Sequence, residues 1–418
     1  MNRAVLDVLV RVIWPPAKLV AGAIALPVLC VIAALEGRRT RRRVRRGSAA
    51  RVMWGPSPII NIRYWSESLR AIGYDSLTVV HHVPPINRRE DFDVLRDSFL
   101  PGVPRADLVR DFFVFAWAIR RADVFVWYFD GGFLTGTALR SLELRLLRLA
   151  GKRVIVLPYG GDIAVVGELG VAEAALLEDY PELVRASARK RRRVLHICRH
   201  ADLVIRNYQY GFLPRADVVW PTVIAIDCEA WRPQDEAAGG ADGRSGEVVV
   251  LHAPNHRSIK GTRELIEAVG ELQQEGLKVV LELAEGWPNE RVLEAMRRAD
   301  IVADQFIAGY ALFAVEGMSA GKPVLSALGW MPPDVAEWLR RSGCPIVDTD
   351  VSTLTANLRD LVTDPGRRAA LGRAGREYVL RCHSYGPVAR IWAGLIEHVW
   401  SGAPLPAELA AISPDPAA

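Results

Sequence analysis

Residues 299–325 read ADIVADQFIAGYALFAVEGMSAGKPVL. A short apolar run, DIVAD, ends in a loop. A helical turn follows Gly309, and Ala-Gly-Lys-Pro then leads into a second apolar run, PVLSAL. Apolar strand, helix and apolar strand in this order form the unit of a parallel sheet covered by helices. One carboxylate, Glu316, sits in the helix among Phe313, Ala314, Val315 and Met318. A solvent-facing acid has no need of such neighbours, so Glu316 is expected to face a site at the carboxyl ends of the strands.

The same alternation extends in both directions. Upstream, after the polar linker PQDEAAGGADGRSG (233–246), come EVVVLHAP, a helix at 262–275, KVVLELA and a helix at 289–299; downstream comes CPIVD, then helix from about 352 to Trp400. Before the linker, a strand at Arg51–Trp54 precedes IINIRYWSESLRAIG (helix), SLTVV (strand), RADLVRDFFVFAWAIRRA (helix) and DVFVWYF (strand). TALRSLELRLLRLAG (helix), KRVIVLPY (strand), a helical stretch at 172–200 and ADLVIRN (strand) complete this half. The fold class is therefore α/β, with two doubly wound Rossmann-like domains facing a cleft and a helical segment before them. No GxGxxG follows either first strand, which leaves out a dinucleotide fingerprint. The expected divisions are an anchoring segment (1–46), an N-terminal domain (47–232), the linker, a C-terminal domain (247–375), a helix crossing back (376–401) and a disordered tail (402–418).

Composition narrows the class. The 418 residues are 50% hydrophobic and 24% charged, as in globular α/β proteins. Five cysteines lie scattered with no CxxC pair, which disfavours a zinc site and a disulfide framework. Residues 1–50 hold ten Arg/Lys against two acids, so the remaining residues sum to −3 of the overall +5. The basic pI thus comes from one end, and nucleic acid is not an expected partner.

That end carries LVAGAIALPVLCVIAAL, Leu19 to Leu35, without a charge, followed by RRTRRRVRR. Arginines directly after the apolar run oppose export and cleavage and keep this flank cytoplasmic. Two membrane geometries are expected: a single span, or a hairpin with helices at 3–14 and 18–36 bending at Trp14-Pro15-Pro16. Removal of residues 1–46 is expected to leave a folded, soluble protein.

HAPNHRSIKGT (252–262), the 299–325 stretch and LVTDPGRRAALGRAGREYV (361–379) together resemble the nucleotide-sugar domain of retaining GT-B glycosyltransferases of family 4. VLPYGGDI (156–163) and WPTVIAIDCEAW (220–231) resemble the acceptor-domain and hinge landmarks of the same family. The resemblance implies a nucleotide-diphosphate sugar as donor, retention at the anomeric carbon, and neither a cofactor nor a metal. It places Lys260 on the pyrophosphate and Glu316 on the ribose hydroxyls. The family arginine five residues before the lysine is Asn255 here, and Arg257 is read as its substitute. The family's other glutamate, which touches donor sugar and lysine, falls on Ala308. The next acid upstream is Asp304, which either reaches the site or ends its strand. Gly309 and the helix start after it suit phosphate oxygens. Tyr310, Gly55 and Ser57 complete the expected donor side.

On the acceptor side, Tyr159, Gly160, Gly161 and Asp130 end strands at the cleft. Asp162 either contacts an acceptor or sugar hydroxyl, as a catalytic group beside Lys260 and Arg257, or caps the next helix. His252 and His256 lack the spacing of a helical zinc pair. The basic run RASARKRRRVLHICRH, with its core at 189–193, is either a solvated helix face or a contact for anionic headgroups. The sequence therefore reads as a membrane-associated retaining hexosyltransferase at the cytoplasmic face of the cell membrane. Its acceptor is expected to be lipid-linked or an envelope glycan. The alternative is a non-catalytic, membrane-tethered partner of an active transferase.

Overall fold

The computed structural model describes residues 14–208, 211–233 and 246–410. The N-terminal half carries strands β1 (Val52–Trp54), β2 (Ser76–Val80), β3 (Val94–Leu95), β4 (Val124–Trp127), β5 (Arg153–Val156), β6 (Leu203–Arg206) and β7 (Val218–Val219). Its helices are α1 (Trp14–Arg45), α2 (Asn61–Ala71), α3 (Arg110–Arg121), α4 (Glu143–Leu149), α5 (Glu173–Asp179) and α6 (Leu183–His200). The C-terminal half carries β8 (Val248–His252), β9 (Val279–Leu283), β10 (Ile301–Ala303), β11 (Val324–Ser326) and β12 (Val347–Asp348). Its helices are α7 (Arg257–Lys260), α8 (Thr262–Gln274), α9 (Asn289–Arg298), α10 (Leu312–Ser319), α11 (Pro333–Arg341), α12 (Leu354–Thr363), α13 (Pro365–Cys382), α14 (Tyr385–Ser401) and α15 (Ala407–Ala410).

Both sheets are parallel. The first has seven strands in the order β3-β2-β1-β4-β5-β6-β7, and the second five in the order β12-β11-β10-β8-β9. The direction of winding reverses between β1 and β4 in one half and between β8 and β10 in the other. The carboxyl ends at such a reversal leave a crevice where ligands sit. Strands buried on both faces send alternate residues into different cores. Val52, Trp54, Val124 and Val126 join a core that runs on through the hinge into the second half. Met53, Phe125 and Trp127 join the opposite core, which α1 closes with Leu29 and Ala33.

The α1 helix is long and apolar enough from Pro16 through Arg45 to cross a membrane, and one side of it packs on the domain. It runs unbroken from Trp14 through Arg45, so the arginine run is helical too. Prolines in its first turn cost no hydrogen bond there. The helix lies along the domain against α3 and α4. Near its start, Lys18 Nζ donates to Gly136 O at 2.9 Å, and further on Leu29 and Ala33 are fully packed. The proposed first arm of the hairpin lies outside the described residues.

The last long helix returns to the first half. Trp392 of α14 packs among Trp54, Trp65 and Trp220, with ring centroids 4.8, 5.3 and 5.2 Å away. Trp400 Nε1 donates to Ser48 O at 2.9 Å. At the hinge, Ile226 N donates to His383 O and His383 Nδ1 pairs with Ile224 O. The chain stays ordered to residue 410, where the sequence suggests a disordered tail. Pro406 packs on Gly394, and Leu409 of α15 is buried. The linker core, 234–245, lies outside the described residues.

Candidate nucleotide-sugar site

The second half builds its site at the reversal between β8 and β10. His252 ends β8, fully buried. Its Nδ1 pairs with Ala303 O at 2.8 Å and its Nε2 with Thr262 Oγ1 at 2.9 Å. Burial pushes the imidazole down to about 4, so it is neutral and serves as a tie between β8, β10 and α8. The chain then makes the single turn α7 and delivers Lys260. Lys260 Nζ donates to Asp304 Oδ1 at 2.7 Å. Asp304 follows β10 directly and is buried; its Oδ2 accepts from Ala311 N, just before α10, at 2.6 Å. Asp304 both follows its strand and joins the lysine to the start of α10.

Glu316 is buried on α10. Burial, then the charge of Asp304, push its carboxyl up to about 8, with Lys260 opposing. A buried, proton-holding carboxyl beside a paired lysine and an acid can both donate to and accept from a sugar diol. Across the interface, Tyr64 of α2 lies in the electrostatic field of Glu316, and burial raises its phenol well above the ordinary range. Between the halves lies a cavity of about 210 Å³, lined from one side by Ile60, Arg63 and Tyr64 and from the other by Pro288, Asn289 and Glu290.

Two donor-side expectations change. Arg257 does not converge on Lys260: its guanidinium is exposed and holds Glu285, with Nε–Oε1 and Nη2–Oε2 both at 2.6 Å. Tyr310 is buried in the hinge, its hydroxyl on Pro221 O at 3.1 Å and its ring stacked on Tyr208. Gly309 packs against Met331, whose flexible Cε would stand 2.7 Å from a Cβ there. In the first half, Gly55 allows the backbone of β2 to approach, since a Cβ would meet Val79 O at 1.9 Å. Ser57 follows in the same loop and is buried.

Asp162 is neither an acceptor contact nor a helix cap. It is fully buried, and its oxygens accept from Phe129 N (2.9 Å), Tyr159 N (3.0 Å) and Gly160 N (3.0 Å). It staples the loop after β4 to the loop after β5. Burial and the nearby Asp130 push it up to about 7. On the cleft side of this staple, Tyr159 Oη donates to Asp130 Oδ2 at 2.7 Å and Arg193 Nη2 to Asp130 Oδ1 at 2.8 Å. Lys190 Nζ donates to the Gly161 carbonyl. The basic helix α6 therefore turns Lys190 and Arg193 toward the glycine loop, while Arg191 holds Glu168 and covers the Phe212 ring.

Two comparisons bear on this geometry, and no family model matches the chain. HepE from Anabaena, crystallised in complex with UDP, superposes with a TM-score of 0.51 at 13% identity, over 83% of this chain and 99% of HepE. Its complex with UDP-glucose gives 0.51 over 85% of this chain and all of that one. The chain has the GT-B fold. A curated relative, the MMP alpha-(1→4)-mannosyltransferase of Mycolicibacterium hassiacum, is 25% identical over 191 residues, or 40% of this chain. The chain spans 45% of that relative's length.

Within the GT-B frame, the two halves also touch through α5 and α7. Asp179 Oδ2 accepts from Ile259 N at 3.1 Å, and Tyr180 Oη hydrogen-bonds His256 Nε2. Sequence reading did not single out Asp179, Tyr180 or Tyr64. Tyr64 and Asp179 lie in helices of ordinary composition and Tyr180 just after one, and only the docking of the halves brings them against the other half. Among the described residues, no three His, Cys, Asp or Glu side chains cluster as a metal site.

Proposed function

We propose that this chain is a membrane-associated, retaining glycosyltransferase that moves a hexosyl group from a nucleotide-diphosphate sugar to a lipid-linked or envelope acceptor at the cytoplasmic face of the membrane. The observation that carries the reading is the Lys260–Asp304–Glu316 group at the strand reversal of a GT-B half. Departure of the diphosphate develops negative charge, and a lysine held in place beforehand stabilises it without reorganisation. Asp304 takes over the lysine contact that the family gives to the residue now Ala308. Glu316 receives the ribose. HepE binds UDP and UDP-glucose, and the mycobacterial relative transfers mannose, which supports a sugar nucleotide as donor. The apolar, one-sided exposure of α1 supports membrane association. Calorimetry with UDP, GDP and the matching nucleosides tests the donor site. Saturable binding of a diphosphate, with the nucleoside at least about tenfold weaker, is expected from loss of charge-assisted contacts. Equal binding of nucleoside and diphosphate would remove Lys260 from the pyrophosphate.

Ala308 favours a second reading, a non-catalytic partner that binds the nucleotide without turnover. Ala308→Glu separates the two. If Asp304 serves the lysine, the added acid repels the diphosphate and lowers activity; in a degenerate site, activity appears or rises.

A further inference from the structure

The face of α1 turned away from the domain is apolar and then abruptly cationic. Leu19, Val20, Ile24, Val28, Val31 and Leu35 are 50–68% exposed. One turn further, the exposed positions are arginines, beginning with Arg38 and Arg39. Because the opposite face is packed on α3 and α4, this stripe faces outward along the side of the domain rather than around a free helix. A helix so held lies in the plane of a bilayer, with its apolar face at the acyl boundary.

Where stripe and arginines meet, a cavity of about 320 Å³ opens between α1 and the amino ends of the strands. That is room for on the order of ten waters. Behind three of its lining cations lies Asp123, fully buried, with Arg51 Nε at 2.9 Å, Arg43 Nε at 3.2 Å and Lys152 Nζ at 3.2 Å. The rim of the cavity is Glu36, with Arg39 Nη1 at 2.6 Å and Arg120 Nε at 3.9 Å. Five cations thus share two carboxylates. A clasp holding α1 to the domain would balance its charges, since uncompensated charge near the interior is costly. A second observation is independent of charge. Thr40, 2% exposed, lines the cavity and its hydroxyl has no hydrogen-bond partner. Buried hydroxyls are normally satisfied.

We propose that this cavity binds a phosphate group, supplied by an anionic phospholipid of the bilayer on which α1 lies. The proposal rests on the membrane association proposed above and goes beyond it by naming a headgroup site. Arg39 and Arg120 take the phosphate oxygens from the rim through charge-assisted hydrogen bonds, and Thr40 supplies a neutral donor from within. Asp123 keeps the deeper cations fixed.

The test is calorimetry on the full chain in a phosphate-free non-ionic detergent. Dihexanoyl phosphatidic acid and inorganic phosphate are titrated separately. Saturable one-to-one binding of the lipid, tighter than inorganic phosphate and displaced by it, is expected. Arg39→Gln with Arg120→Gln should weaken it at least about tenfold. Arg38→Gln with Arg42→Gln removes the same charge outside the cavity and should leave it within about threefold. Thr40→Val, close to isosteric, should weaken it several-fold while leaving the melting temperature unchanged or raised. No saturable lipid binding overturns the proposal, as does equal loss in the outer pair. Equal affinity for inorganic phosphate overturns the lipid as source. Binding to neutral phosphatidylcholine vesicles reports the apolar stripe alone, so failure of the membrane reading is seen separately.

Discussion

Replacing Glu316 by Gln should move stability and nucleotide affinity in opposite directions. The carboxyl is fully buried and holds its proton up to about 8, against an ordinary value of 4.5. A carboxyl whose pKa is raised by folding costs nothing below its unfolded value. The cost accumulates as pH rises from there and levels off above the folded value. At 1.36 kcal/mol per unit, the span from 4.5 to about 8 approaches on the order of 5 kcal/mol. The amide keeps the shape and has no charge to bury. Relative to the wild type, Glu316→Gln should therefore gain stability progressively between those pH values and show little gain below them. Glu143, near 8, and Asp162, near 7, titrate in the same range, so the difference between the two proteins is the informative quantity. The nucleotide should bind the variant more weakly by about 0.5–1.5 kcal/mol, because the amide fixes one donor and one acceptor where either carboxyl oxygen can serve the ribose diol. Denaturant titrations at pH 5 and pH 8, with calorimetry at pH 8, measure both. A variant destabilised at pH 8, or one that binds the nucleoside diphosphate as tightly as the wild type, would refute the reasoning.

Lys260→Met should lower kcat by about two orders of magnitude or more, since the cation meets charge that develops in the transition state. It also strands Asp304, so Asp304→Asn in the same chain should restore part of the lost melting temperature without restoring turnover. Asp162→Asn should cost about 1–3 kcal/mol of stability, because an amide nitrogen must face backbone N–H donors, while kcat/KM for the folded fraction stays within about threefold. Deleting residues 1–46 should destabilise the N-terminal half rather than release a soluble protein. Leu29 and Ala33 fill its core, and each large apolar side chain lost there costs about 2–5 kcal/mol; an unchanged melting temperature would show that α1 is not part of the domain.

The alternation of apolar runs made two parallel sheets legible, because strands buried on both faces need continuous apolar sequence. Strands β3 and β7, two residues each, carry no period to read. Glu316 was legible as a buried acid because Phe313, Val315 and Met318 leave it no wet face. Asp304 was ambiguous in sequence; only the reach of Lys260 across β8 and β10 decides its partner. Asp162 and Tyr310 lie beside recognisable glycines, yet their side chains turn inward to backbone groups, which spacing does not reveal. Seventeen uncharged residues look alike whether a helix crosses a bilayer or packs half its surface on a domain. The position of α3 and α4 buries Leu29 and Ala33, which the sequence does not reveal, and the partners of Asp123 come from three separate segments.

The central claim is that the Lys260–Asp304–Glu316 site turns over a sugar nucleotide. It is tested most directly by measuring nucleoside diphosphate release from UDP- and GDP-sugars by the full chain, with a membrane lipid extract as the acceptor source. The account predicts acceptor-dependent release with one donor, reduced about a hundredfold or more in Lys260→Met. Tight nucleotide binding with no release from any donor, or release that survives Lys260→Met, would contradict it.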